Sequence, residues 1–366
     1  MMPPEAENTL AVALVQRWDD YRAQSKTCRQ EFSEEAVHDL RVAGRRFMAV
    51  LDIMRAINPH PRVQKTRRFL KDQLDDLDEL RDVQVMLVEI SETIEHLPEL
   101  QPFEEHLQKR EKRLLRTALK QVQASKPSEW NKRIDKMRSA LEKESRKPDF
   151  QAGLLQTVDN AYSRAVQDYA QMDGAQAATI HRVRIAFKKF RYMAEIVIPV
   201  LTDQPESYFK RMHDYQSAMG DIQDVEIFLN ALADFAENMP HPARKGSASF
   251  DPKPIRRFYK KRHTELVAAY FEDKGELSTF WRPAPDQPFP WEKSNDPLHH
   301  PSRHRGASGD QRQRRRRQST PVNRRGLEED AQNREGTEGA GHKDRPDHDQ
   351  PLPAGSPDGE NPGKEV

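Results

Sequence analysis

Two ten-residue segments in this chain repeat one pattern: a histidine, a cation three places on, and two adjacent cations before a phenylalanine. They are His38-Asp39-Leu40-Arg41-Val42-Ala43-Gly44-Arg45-Arg46-Phe47 and His181-Arg182-Val183-Arg184-Ile185-Ala186-Phe187-Lys188-Lys189-Phe190, 143 positions apart. On a helix, which turns about 100° per residue, the first, fourth and eighth positions fall within about 60° of arc. His38, Arg41 and Arg45 therefore form one narrow stripe, and His181, Arg184 and Lys188 form another. The opposite faces are apolar, centred on Leu40, Ala43, Phe47, Val50, Leu51 and Met54 in the first copy. In the second they are Val183, Ala186, Phe190, Met193, Ala194 and Val197. Arg191 extends the second stripe and Tyr192 flanks it, whereas the first copy has Met48 and Ala49 there, so the two halves are not equivalent.

A solvated helix face normally mixes signs, because like charges at helical spacing repel by a few tenths of a kcal/mol per pair. These stripes are nearly all positive, which favours a polyanion as their partner. Arginine forks match phosphate oxygens bidentately and lysines act as point charges of adaptable reach, so phosphate chains fit the pattern. The histidines admit a packing or hydrogen-bonding role and a phosphate-contact role in which a neutral imidazole gains charge as an anion arrives. A zinc site has little support: there is one cysteine and no H-E-x-x-H pattern.

Further cations recur at helical spacing on neighbouring segments. Arg67, Arg68 and Lys71 have Lys210 and Arg211 as counterparts in the second half. Lys109, Arg113, Arg116 and Lys120 have Arg256, Arg257, Lys260, Lys261 and His263. Turned the same way in both halves, these would enclose a positive cleft. The run Asp75, Asp76, Asp78, Glu79 and Asp82 reads as a solvated acidic face rather than a metal site. Asp82 and Asp224 either pair with the cations and fix their rotamers or simply favour their helices' surfaces. The sequence holds no Gly-rich phosphate loop, no nucleophile elbow and no acidic constellation suited to magnesium beside the stripes. Phosphoryl transfer needs those parts as well as cations, so binding without catalysis, cofactor or metal is the expectation.

The elements that must carry these residues are helices. From about residue 8 to 280 the periodicity is helical, and no stretch alternates with the strand period for long. Pro and Gly breaks divide the chain into helices near 8–25, 33–57, 61–96, 101–125 and 128–146, then 150–171, 175–199, 205–238 and 252–274. A second match supports this register: Leu80-Arg81-Asp82-Val83 aligns with Ile222-Gln223-Asp224-Val225, 142 residues later. The expected fold is all-α: two four-helix bundles related by internal duplication, over 8–147 and 148–281, with short connections and antiparallel neighbours. Residues 282–366 hold nearly half of the 26 prolines and few apolar side chains, and are expected to be a disordered tail. Its basic run, Arg312 to Arg317, reads as a solvated linker element.

Composition adds bounds. The 366 residues carry a formal net charge of only +1, so any signal for a polyanion must be local. The lone Cys28 excludes an intrachain disulfide framework and fits a reducing compartment. The N-terminus lacks a secretory pattern and nowhere do 18 apolar residues run together, so the expected setting is cytoplasmic, with no membrane partner.

The paired H-x-x-R-V-x-x-R-R and H-x-x-R-I-x-x-K-K-F-R-Y segments, each followed by an R-D-V or Q-D-V element, resemble the CHAD family, the conserved-histidine α-helical domain. The likeness spans about residues 8–275. It implies two four-helix bundles around a basic channel, binding of inorganic polyphosphate, and association with enzymes or granules of polyphosphate metabolism. By motif position the implied contacts are His38, Arg41, Arg45 and Arg46, with His181, Arg184, Lys188, Lys189, Arg191 and Tyr192; Arg67, Lys71, Arg113, Arg116, Lys210, Arg257 and Lys261 are added from the neighbouring helices. Many relatives join this domain to a triphosphate-tunnel (CYTH) hydrolase with an E-x-E-x-K strand. The nearest look-alike here, Glu142-Lys143-Glu144-Ser145-Arg146, is helical in context and ends in Arg, so no such domain is expected. The alternatives are a nucleic-acid-binding protein using the same stripes, and an accessory subunit of a phosphate-chain hydrolase.

Overall fold

The computed structural model describes residues 9–124, 130–198, 204–205, 207–239, 250–272 and 274–292. The expected tail from 293 onward, with its basic run, lies outside the described residues. Among those described there is no strand and there are nine α-helices. They are α1 (Thr9–Glu31), α2 (Glu34–Ile57), α3 (Pro61–Thr93), α4 (Gln101–Ala124), α5 (Asn131–Glu144), α6 (Phe150–Ala170), α7 (Ala177–Val197), α8 (Tyr208–Asn238) and α9 (Lys253–Glu272). Among the described residues, no helix is long and apolar enough to cross a membrane.

Local chemistry explains the boundaries that place the stripes. Ser33 caps α2, its hydroxyl accepting from the Ala36 N–H at 3.1 Å, and Glu34 and Glu35 follow in the first turn, where carboxylates suit the helix dipole. Pro61 opens α3, with His60 Nδ1 accepting from the Arg62 N–H at 3.0 Å. Helix α1 runs to Glu31 rather than to residue 25, because Ser25 and Cys28 are drawn into the interior and no Gly or Pro interrupts the run. It stops where Phe32 takes a left-handed φ of 40°.

Every apolar position expected to face inward on α2 and α7 is buried. Helices α1 to α4 pack each on the next, as do α6 to α9, while α5 packs on α1 and α3; α2 also packs against α6 and α7, α1 against α7, and α3 against α8. One apolar cluster runs from Leu10 and Phe47 through Phe187 and Phe190 to Trp291. A second joins Val83, Ile90 and Phe103 to Val225, Phe228 and Tyr259, with Phe103 edge-on to Phe228 at 5.5 Å between ring centres. Both interiors therefore draw side chains from either side of residue 148.

The folded chain extends past the expected boundary at 282, as far as Glu292. Composition pointed to disorder from 282, but Phe289 and Trp291 are buried against the rest of the molecule, in one core with Phe280 and Trp281 just before that boundary. Asp159 on α6 fastens the segment. It accepts from Trp281 Nε1 at 2.7 Å and from Arg282 at 3.0 and 2.7 Å.

Candidate functional site

The two motif stripes converge. Packing of α2 on α7, with α3 and α8 beside them, puts His38, Arg41 and Arg45 in the same electrostatic neighbourhood as Arg184, Lys188 and Arg191. The His38 imidazole is pushed down to about 4, by burial first and then by Arg81, Arg41 and Lys188. It is therefore neutral at pH 7. Lys188 is held well below the usual lysine range by burial and by Arg45, Arg184, Arg41 and Arg191. The stripes also bury atoms with no hydrogen-bond partner, His181 Nδ1 and Arg184 Nε.

Carboxylates meet the stripes unevenly. Asp78 on α3 takes hydrogen bonds from both Arg41 and Arg45, the latter at 3.2 Å, and Arg41 also donates to the Leu74 carbonyl at 3.4 Å. This contact depends on a close approach of α2 to α3: a Cβ on Gly44 would fall 2.9 Å from Leu74 Cδ2. Arg81 donates to Glu34 at 2.7 Å. Asp82 and Asp224 have raised pKa values, chiefly from burial, and each is countered by stripe cations, Arg41 and Arg184 for Asp82, Arg184 and Lys188 for Asp224. Both aspartates thus belong to the cation cluster rather than to a remote surface. Asp221, one turn earlier on α8, is pushed up to about 6 by burial and by Asp224.

The remaining residues implied by the motif divide among other surroundings. Arg46 and Arg191 both approach Glu195 on α7, at 3.9 and 3.5 Å. Lys189 lies on the far side of α7, in a groove it shares with Asp52, Arg55, Thr157 and Arg164. The 100° step from Lys188 to Lys189 accounts for that separation. Tyr192 is buried in the apolar interior, its ring 4.9 Å from the Arg191 guanidinium carbon. Arg67 pairs with the buried Asp52 at the C-terminal part of α2. Lys71 pairs with Asp75, Lys210 with Asp214 and Lys261 with Glu265, each within its own exposed helical turn. Arg113, Arg116 and Arg257 are exposed on α4 and α9. The structure thus gathers His38, Arg41, Arg45, Arg184, Lys188 and Arg191, and gives the other cations separate local partners or open surface.

Sequence reasoning missed Arg81 and Asp78 as members of the cluster. Asp78 lies four residues before Asp82 and three before Arg81, spacings that already placed it on one side of α3 with each of them. Among the described residues, no group of three or more His, Cys, Asp or Glu side chains is placed to hold a metal ion.

A family model described as CHAD domain matches residues 12–270. Among solved structures, the chain is similar to the CHAD domain from the plant Ricinus communis at 18% identity and a TM-score of 0.54, covering 75% of this chain and 90% of that one. It is also similar to PptA from Streptomyces chartreusis at 17% identity and a TM-score of 0.55, covering 74% of this chain and 99% of that one. No curated protein matches the sequence. Since the family model runs from α1 to α9, across both cationic helices and the two helices that flank them, the chain belongs to the CHAD family.

Proposed function

We propose that the chain binds inorganic polyphosphate where the α2 and α7 stripes meet, and that this binding recruits or localises it to polyphosphate without turnover. Membership of the CHAD family supports the reading, and one observation carries it: the half-buried Lys188 lies among four arginines, with no carboxylate in ion-pair contact among the described residues and with Asp224 only near enough to feel its charge. A partly buried cation with cationic neighbours is unfavourable until an anion joins them. Phosphate oxygens offer the several acceptors that Arg184, Lys188 and Arg45 can share. The buried ring of Tyr192 is not offered for base stacking beside the stripes, which counts against a single-stranded nucleic acid.

The test is a titration of the full chain with long-chain polyphosphate over a range of salt, repeated with Arg41→Ala plus Arg184→Ala. Removing a charge-assisted hydrogen bond costs about 1.5–3 kcal/mol, so the double variant should bind at least tenfold more weakly, with a shallower dependence of log affinity on log salt. Circular dichroism establishes that the variant is folded. Unchanged affinity in a folded variant refutes the reading, single-stranded RNA displacing polyphosphate favours the nucleic-acid alternative, and phosphate release from triphosphate with magnesium overturns the non-catalytic assignment.

A further inference from the structure

The two halves treat their cations differently at one matched position. The alignment that equates Asp82 with Asp224 equates Asp78 with Gly220. In the first half the Asp78 carboxylate sits on Arg41 and Arg45. In the second half Gly220 has no side chain to offer, and Arg184 lies against it, with Nε and one terminal nitrogen each 3.7 Å from where a Cβ would be. Arg184 Nε is buried without a hydrogen-bond partner. The glycine itself has also changed sides. Gly44 on α2 faces α3 in the first half, whereas its counterpart on α7 is Phe187, buried against Tyr215 at 4.8 Å between rings.

Building on the polyphosphate reading, we infer that Asp78 is a built-in counter-anion that occupies the phosphate position of the first stripe, while Gly220 leaves the second stripe open as the primary seat. Asp78 pairs with both Arg41 and Arg45 and is itself 44% exposed, so its carboxylate lies at the water-facing edge of the group. An arriving phosphate meets Arg184 and Lys188 with no carboxylate bonded to either among the described residues, although Asp82, Asp221 and Asp224 offset part of their charge from nearby. To recruit Arg41 and Arg45 it must displace Asp78 and overcome like-charge repulsion from it. Asp78 thereby lowers affinity and sets a threshold: ligands with few phosphates fill the open seat alone, and a long chain has enough neighbouring phosphates to engage both stripes.

The experiment uses full-length wild type, Asp78→Asn, Gly220→Asp and Gly220→Ala, each titrated with triphosphate and with long-chain polyphosphate at several salt concentrations. Removing the counter-anion should tighten binding about tenfold and steepen the salt dependence, because two arginines become free to contact phosphate. Placing a carboxylate beside Arg184 should weaken binding about tenfold and flatten it. Gly220→Ala separates bulk from charge, since its Cβ has ordinary contact distances, and its loss should be much smaller than that of Gly220→Asp. Because Asp78→Asn leaves two arginines without their partner, its melting temperature is read with and without ligand; polyphosphate should raise it more than it raises that of wild type.

Wild type that binds but is not exceeded by Asp78→Asn, in affinity or in ligand-induced melting shift, overturns the inference and leaves the polyphosphate reading standing. Equal losses in Gly220→Asp and Gly220→Ala overturn it too. Wild type that binds no polyphosphate at low salt removes the reading and the inference together.

Discussion

At the scale of single residues, His38 connects the fold to pH. Its unfolded imidazole titrates near 6.5 and its folded one near 4, so the unfolded chain holds the proton more tightly and acid favours unfolding. The stabilisation is complete above about pH 6.5 and is lost as pH falls toward 4, on the order of 3 kcal/mol for this group. Asp82, Asp224 and Asp221 are shifted the other way and gain stability in acid, so only the difference from a variant isolates the histidine. In urea unfolding from pH 7 to pH 4, His38→Asn should lose less stability than wild type by roughly that amount. Identical pH profiles would mean that His38 is not held neutral by Arg81, Arg41 and Lys188. The narrow stripe of His38, Arg41 and Arg45 was legible because helical spacing alone fixes it. The partners of those side chains were not, because Asp78 lies 33 positions from Arg45 and pairing across helices depends on how α2 meets α3. Lys189 shows the converse: a motif groups it with Lys188, and one helical step turns it to another groove.

At the scale of elements, boundaries marked by Pro and Gly were readable, and α2, α3 and α6 begin at Glu34, Pro61 and Phe150, within one residue of the expected starts at 33, 61 and 150. The segment after α9 was not, since its many prolines resemble a linker and its aromatics gain meaning only beside α6 and α8. Asp159 gives that segment a testable anchor. Its carboxylate is nearly buried and satisfies both Trp281 and Arg282, so Asp159→Ala leaves a buried guanidinium and indole N–H without their acceptor. Loss of one partner from a buried pair costs about 3–5 kcal/mol. Chemical denaturation followed by tryptophan fluorescence should show a loss of this size, with Trp281 emission moving to the red in the folded baseline. A loss below about 1 kcal/mol, within the range of an exposed pair, would show that the segment is not clamped by Asp159.

At the scale of the molecule, an all-helical chain was legible from periodicity, while the sharing of its interior was not. Amphipathic patterns say that a face is buried and leave open against which partner. Here Phe103 meets Phe228, and Arg262 and Tyr259 of α9 both reach Glu89 of α3. With interiors common to both sides of residue 148, far-ultraviolet circular dichroism and tryptophan fluorescence should report coincident unfolding midpoints. Two resolved midpoints would show that the halves melt separately.

The Phe103 and Phe228 contact carries a practical corollary. Cutting the gene near codon 148 would strip each product of half its lining, so neither piece alone would make a miniature receptor. Mixed from denaturant, however, the two polypeptides should find each other and rebuild the intact particle.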